Sequence, residues 1–405
     1  MERRISNRRF EYLGYSLMLM LGYEVSGFQL LLGNIAAEFS LTNLGLGILA
    51  SAQSAGTVIS TLAFGGLTDR MSKRKAVALF ACLMLIGCLL AGFSGGAVTI
   101  AASIFIKGLG FSIVEGTTPA SLCETDPQKS NKYTNMCQVF FSVGAVGGPL
   151  VVQALLNLGM HWRGHFYIAA GMMLLLTVLY YTTRRHVDES LSKLKKAAGK
   201  VSLKSILCGA LILLVVAMAV YVALESAGVY FIDPYFEGEL HDSQNGALAI
   251  SIIWAAMIPS RLLASRVHKN KGLFICGCFA VMAAACLLLA LTKNAALALV
   301  GCGLFGLSAG PVFPTAMSVT MDAFPESTGR ACNLLLTAAG IGGLVANVAM
   351  GAVSDAVGVG GGYLMSAALA LVGIVSFAIG NKKAQKRAAK WLNIERGLAE
   401  TPENV

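Results

Sequence analysis

Three carboxylates interrupt long apolar runs of this chain: Glu24 near the middle of 10–38, Glu115 within 96–123 and Glu225 within 205–232. In hydrocarbon a carboxylate is costly unless it faces protein or water, pairs, or takes up a proton. All three are therefore expected to line an interior and are suited to proton uptake; for Glu24 a structural carboxyl bonded to a neighbouring hydroxyl is the alternative. Lys107 lies eight residues before Glu115. On a helix that is about 12 Å along the axis and roughly 80° around it, so the two do not pair directly. Lys107 is either an internal counter-ion or a side chain that snorkels to an interface. Asn135 and Gln138, three apart, share a helix face, and Tyr221 lies one turn from Glu225. Trp254 sits centrally in its run with Arg261 nearer one end, and Asn333, Thr337 and Asn347 share another run. Acids suit a proton, and amides with aromatic faces suit a polyhydroxylated solute. Gln53 either reaches the same cavity or bonds a neighbouring helix.

Other chemistries find no constellation. The five histidines (His161, His165, His186, His241, His268) fall in loops or at run ends without ligand spacing, and no Gly-rich Walker loop is present. Ten cysteines lie in or beside apolar runs, so no disulfide framework is expected. Cys276 and Cys278, two apart, point in different directions on a helix. No metal, cofactor or catalytic role is expected, and the chain is not expected to be an enzyme.

The elements that position these residues are membrane helices. Of 405 residues 56% are hydrophobic and 13% charged, and the mean hydropathy is +0.70. A spanning helix needs about 20 apolar residues. Suitable runs fall at 10–38, 44–66, 76–95, 96–123, 134–159, 164–183, 205–232, 244–264, 272–292, 295–321, 331–354 and 362–380. Twelve runs in two sets of six predict an all-α integral membrane protein: one bundle over 1–183, a basic linker over 184–204, a second bundle over 205–380 and a polar tail over 381–405 that frays. The small residues opening the second run favour close helix packing, and Pro311 and Pro314 should break the tenth. The first run has no A-x-A-like cleavage site and is expected to stay as a helix.

The net charge of +10 does not call for nucleic acid. Of the 31 Lys and Arg, all but Arg163, Lys293 and the intrahelical Lys107 fall on one side when loops alternate. This is the positive-inside pattern, with both termini cytoplasmic and the basic charge facing anionic lipid. The loop after the seventh run is acidic, carrying Asp233, Glu237, Glu239 and Asp242.

Between the second and third runs stands G-G-L-T-D-R-M-S-K-R-K, residues 65–75. This polar clasp resembles the signature G-x-L-x-D-R-x-G-R-K of the major facilitator superfamily, in which Gly65, Leu67, Asp69, Arg70, Lys73 and Arg74 match and Ser72 replaces a glycine. S-R-V-H-K-N-K at 265–271 echoes D-R-M-S-K-R-K at 69–75, as expected of two pseudo-symmetric six-helix bundles with a substrate site between them near mid-membrane. The resemblance implies that Gly65, Asp69, Arg70, Lys73 and Arg74 gate the conformational change. Gly144, Gly148 and Pro149 resemble the start of a drug-antiporter motif, although helix packing is the preferred reading of these glycines, and Ile104 stands where that branch carries an arginine.

Further motifs resemble the fucose/galactose/glucose permease branch of sugar-proton symporters: Gly108 with Glu115, Asn135 with Gln138, Tyr221 with Glu225, and Gly351, Ser354 and Asp355. Glu115 lies two residues farther from its glycines than in that branch, and Phe141 replaces a second amide. That resemblance implies proton coupling through Glu24, Glu115 and Glu225 and substrate contact through Asn135, Gln138, Tyr221, Trp254 and Asn347. The expected function is proton-coupled symport of a small polar solute, a sugar first, across the inner membrane by a monomer, with a proton or sodium as coupling ion. A drug or metabolite exporter and a non-transporting receptor remain the alternatives.

Overall fold

The computed structural model describes residues 2–126, 129–184, 208–264, 267, 270–324 and 328–395. They form helices and short connections: α1 Glu2–Phe39, α2 Asn43–Arg70, α3 Lys73–Gly92, α4 Ala97–Cys123, α5 Ser130–Asn157, α6 Arg163–Thr182, α7 Gly209–Tyr230, the short α8 Ile232–Gly238, α9 Gly246–Ala264, α10 Lys271–Leu291, α11 Ala295–Ala309, α12 Val312–Ala323 and α13 Thr328–Glu395.

Among the described residues eleven helical stretches are long and apolar enough to cross a bilayer. The last, Ala331–Ala389, holds two crossings, because α13 bends at Val357 and at Gly358, whose φ is 82°. Glycine suits that left-handed backbone. A Cβ there would also lie 2.8 Å from Glu239 Oε1, the oxygen that accepts from Gly360 N at 2.7 Å. One further crossing is built from α11 and α12, broken at Gly310 and Pro311 as expected of Pro311, whereas Pro314 falls in the first turn of α12, where a proline is tolerated. The twelve crossings form two six-helix bundles. One end of the molecule carries the start of α1, called the basic end; the opposite, far end carries α8.

Close approach within the first bundle depends on small residues. A Cβ on Gly22 of α1 would lie 2.0 Å from Phe141 O, and one on Gly144 of α5 would lie 1.9 Å from Leu19 O. The two helices therefore touch backbone to backbone. Outside the bundles, Leu62, Phe93, Val98, Leu158, Leu273 and Leu291 are exposed, as side chains facing lipid must be.

Two expectations need correction. The clasp at 65–75 is mostly helical: α2 runs to Arg70 and α3 starts at Lys73, leaving Met71 and Ser72 as the turn. Ser72, in the family's glycine position, caps α3 by accepting from Lys75 N. The side chains of Gly65, Asp69 and Arg70 lie outside the described residues, as does most of the linker. Nor does the tail begin to fray at Asn381, since α13 continues to Glu395. Its Ala, Lys and Gln are strong helix formers, and Arg387 donates to Ala323 O at 3.1 Å and lies over the Phe324 ring.

Gly147, by contrast with Gly144, has open space where a Cβ would go. Gly144→Ala should therefore destabilise the protein by about 1–3 kcal/mol through overpacking, whereas Gly147→Ala should be neutral or stabilising by up to about 1 kcal/mol. Thermal unfolding in detergent compares the two, and equal melting temperatures would contradict the backbone contact.

Candidate functional site

Glu24 is not a lone carboxylate. Lys107 Nζ of α4 lies 2.6 Å from its Oε1, with both side chains fully buried. The ammonium also lies 4.1 Å from the centroid of the Phe28 ring, a cation–π contact. Of the two possibilities for Lys107, the structure shows the internal counter-ion. Glu24 Oε2 has no hydrogen-bond partner, and neither does Nε2 of the fully buried His165. His165 Nδ1 lies 3.4 Å from the Tyr23 hydroxyl.

His165, placed at a run end by sequence, thus belongs to a polar cluster inside the first bundle. The signal that could have found it is the buried stripe His165, Ala169, Met173, Thr177 at helical spacing on α6.

A second polar group lies in the seam between the bundles. From the first bundle come Gln29 (α1), Glu115 (α4) and Gln138, Phe141 and Ser142 (α5); from the second come Tyr221 and Glu225 (α7) and Trp254 and Arg261 (α9). Trp254 Nε1 donates to Gln29 Oε1 at 3.2 Å, and its ring stands edge-on to Phe141 with centroids 5.9 Å apart. Arg261 donates through Nη1 to Ser142 Oγ and through Nε to Gly310 O, both at 3.3 Å. Glu115, Glu225 and Arg261 are only half-buried. Glu115 is within electrostatic reach of both Glu225 and Arg261, and the buried Tyr221 faces the same pair. The Tyr221 hydroxyl faces Glu225 and Arg261 without a hydrogen bond of normal geometry, and Gln53 Oε1 on α2 has no partner among the described residues. Two carboxylates therefore lie within electrostatic range of one guanidinium, whose own hydrogen bonds go to Ser142 and Gly310.

The other expected residues divide. Gln138 is half-buried on the face of α5 that carries Phe141, while Asn135, a turn nearer the basic end, is exposed. Asn347 is fully buried, and its amide and Ser226 exchange hydrogen bonds at 3.0 and 3.1 Å. Its side chain is thus committed within the second bundle. Lys73 opens α3; Arg74 donates to Thr183 O at 3.1 Å and lies over Tyr181, tying α3 to the end of α6.

The seam is tied from its middle to the far end. Asp355 accepts from Asn43 N at 2.8 Å and Leu44 N at 3.0 Å, capping α2 from the other bundle. Ser51 Oγ donates to Leu344 O at 2.7 Å, and Ser251 Oγ to Val146 O at 2.9 Å. A Cβ on Gly47 would lie 2.2 Å from Asn347 O, so α2 and α13 meet as closely as α1 and α5. Phe28 meets Tyr230 across the same seam.

Removing one partner of a buried ion pair strands the other charge. Glu24→Gln or Lys107→Met alone should cost about 3–5 kcal/mol of stability, and the double variant should recover most of it. Thermal unfolding in detergent checks this, and additive losses would contradict the pairing.

A family model described as Major Facilitator Superfamily matches residues 14–334. Polyol transporter 5 of Arabidopsis thaliana is 24% identical over 163 residues, a match covering 40% of this chain and 30% of that protein. The fold is similar to that of a mutant of the nucleoside transporter NupG, with TM-score 0.75, 13% identity, and 93% of this chain and 99% of that one covered. It is also similar to a bacterial homologue of the human lysosomal transporter Spinster in an inward-facing and occupied conformation (TM-score 0.69, 14% identity, 96% and 98% covered). A variant of the E. coli fucose:proton symporter FucP gives 0.60, with 17% identity and 91% and 98% covered. With twelve crossings in two bundles and a family match across most of its length, the chain belongs to the major facilitator superfamily, a family of transporters rather than enzymes.

Proposed function

We propose that this protein is a secondary active transporter that moves a small polyhydroxylated solute together with a proton, exposing the seam to each side of the membrane in turn. The bundle boundaries are those of the sequence, 1–183 and 205–380, with both termini cytoplasmic in the inner membrane and a monomer as the working unit. One observation carries the reading: Glu115 and Glu225 lie within electrostatic range of a single cation, Arg261, in a half-buried space between the bundles. Two ionised carboxylates against one guanidinium leave one negative charge uncompensated. A proton removes it, and the neutral site crosses the low-dielectric middle of the cycle at lower cost. Sodium could supply the same charge, although among the described residues no group of three or more His, Cys, Asp or Glu stands there to hold a metal ion.

The same space offers recognition. Gln138 and the Tyr221 hydroxyl supply hydrogen bonds, and Trp254 and Phe141 supply aromatic faces for a sugar-like ring. Glu24, held by Lys107, enters coupling only if that pair opens. The exporter alternative loses its main support, since Gly148 is explained by packing: a Cβ there would lie 2.2 Å from Ser26 Oγ and 2.7 Å from Tyr23 O.

Counterflow in proteoliposomes with monosaccharides, polyols and nucleosides identifies the solute class. With that solute, Glu115→Gln should retain exchange between equal pools, which needs no net proton movement, and lose the accumulation of about tenfold that one coupled proton supplies from a gradient of about one pH unit. Retained accumulation would move the coupling site elsewhere.

A further inference from the structure

At the far end, α8 lays two carboxylates across the mouth of the seam onto the first bundle. A Cβ on Gly33 of α1 would lie 3.3 Å from Asp233 Oδ2 and 3.2 Å from Glu237 Oε2, so both oxygens converge on one glycine of the opposite bundle. Asp233 Oδ1 abuts α9, where a Cβ on Gly246 would lie 1.9 Å away. Asp233 is thus wedged between α1 and α9 at 8% exposure. Neither a hydrogen bond nor an ion pair answers its carboxyl among the described residues, and the group that acts on it is Glu237.

The neighbouring charges are otherwise engaged. On α1, Glu38 pairs with Arg163 at 2.7 Å, with His161 at 3.5 Å on the same carboxylate. On α8, Glu239 pairs with Lys293 at 3.3 Å. In the turn before α9, Asp242 accepts from Asn245 Nδ2 at 2.7 Å. Tyr230 ends α7. Among the described residues no cation pairs with Asp233; the positive end of α9 at Gly246 offsets part of the cost, but a buried carboxylate without a hydrogen-bond partner is unfavourable.

We propose that Asp233, with Glu237 beside it, is a proton-binding site whose occupancy latches the far end of the seam shut. Burial and the Glu237 charge push Asp233 up to about 7 in this closed form. Opened to water, an aspartate returns to about 3.9, so closing takes up a proton and opening releases it. The latch is therefore fully effective below about pH 4, weakens as pH rises and is lost by about pH 7, with the opening equilibrium rising by up to about tenfold per pH unit between those limits. Only the latch's place in a transport cycle rests on the proton-coupled function; the protonation itself does not.

The test uses the full chain in lipid nanodiscs without substrate or gradient. Hydrogen–deuterium exchange of α8 and the far end of α1 is followed from about pH 4.5 to about pH 8.5 and corrected for intrinsic exchange rates. Wild-type protection should fall with rising pH and level off near pH 7. Asp233→Asn, neutral at every pH, should stay protected throughout, and Glu237→Gln should make the fall smaller and level off at a lower pH by removing the like charge. Glu115→Gln should keep a fall with rising pH that Asp233→Asn abolishes, which separates the latch from the seam. A pH-independent wild type, an unaltered fall in Asp233→Asn, or a fall abolished by Glu115→Gln would overturn the proposal. Should Asp233→Asn fail to fold, an unmoved fall in Glu237→Gln overturns it equally.

Discussion

Hydrocarbon offers no hydrogen bonds to replace those of water, so every charge inside this molecule must be answered from within it. The contact between Lys107 and Glu24, 2.6 Å at zero exposure, is the strictest case. It sets how closely α1 and α4 stand, and α3 must admit it: a Cβ on Gly87 would lie 2.5 Å from Lys107 N. The small residues of the first bundle and its buried pair are thus one constraint. Backbone contact brings the charges within reach, and the charges forbid the helices to part.

The same helix serves two interiors. Glu24 and Gln29, five residues apart, differ by roughly 140° around the axis of α1. One turns into the first bundle toward Lys107, and the other turns into the seam toward Trp254. Gly33, one turn beyond Gln29, continues the seam face to Asp233 and Glu237. Inside the first bundle the charges are matched one to one. Along the seam Glu115 and Glu225 lie within electrostatic range of one cation, Arg261, and the buried Tyr221 faces Glu225 and Arg261. A polar surface left incomplete between two bundles invites a solute and a proton to complete it.

The twelve crossings could be read from the apolar runs because spanning length and hydropathy are local properties. The break at Pro311 was equally local, since a missing N–H interrupts a helix wherever it falls. Partnerships were another matter. Glu24 and Lys107 are 83 residues apart, and spacing could exclude Glu115 as Lys107's partner without supplying the real one. His165 was overlooked because its run ends close by, although its stripe on α6 points inward. Asn347 looked available and is held by Ser226, a contact formed only when α13 docks on α7. Asp355 was matched to a motif, yet its capping of α2 appears only when the two bundles meet. The tail was expected to fray on polarity alone, and helix propensity with the Arg387 contacts carried it on to Glu395.

The central claim is that solute and proton enter together through the seam. The direct measurement is proton movement during solute entry: an interior pH dye in sealed vesicles, with no imposed pH gradient, when transported solute is added outside. Coupled entry acidifies the lumen on solute addition, and a proton ionophore abolishes the signal. Solute entry with an unchanged lumenal pH, or with alkalinisation, would contradict symport with protons.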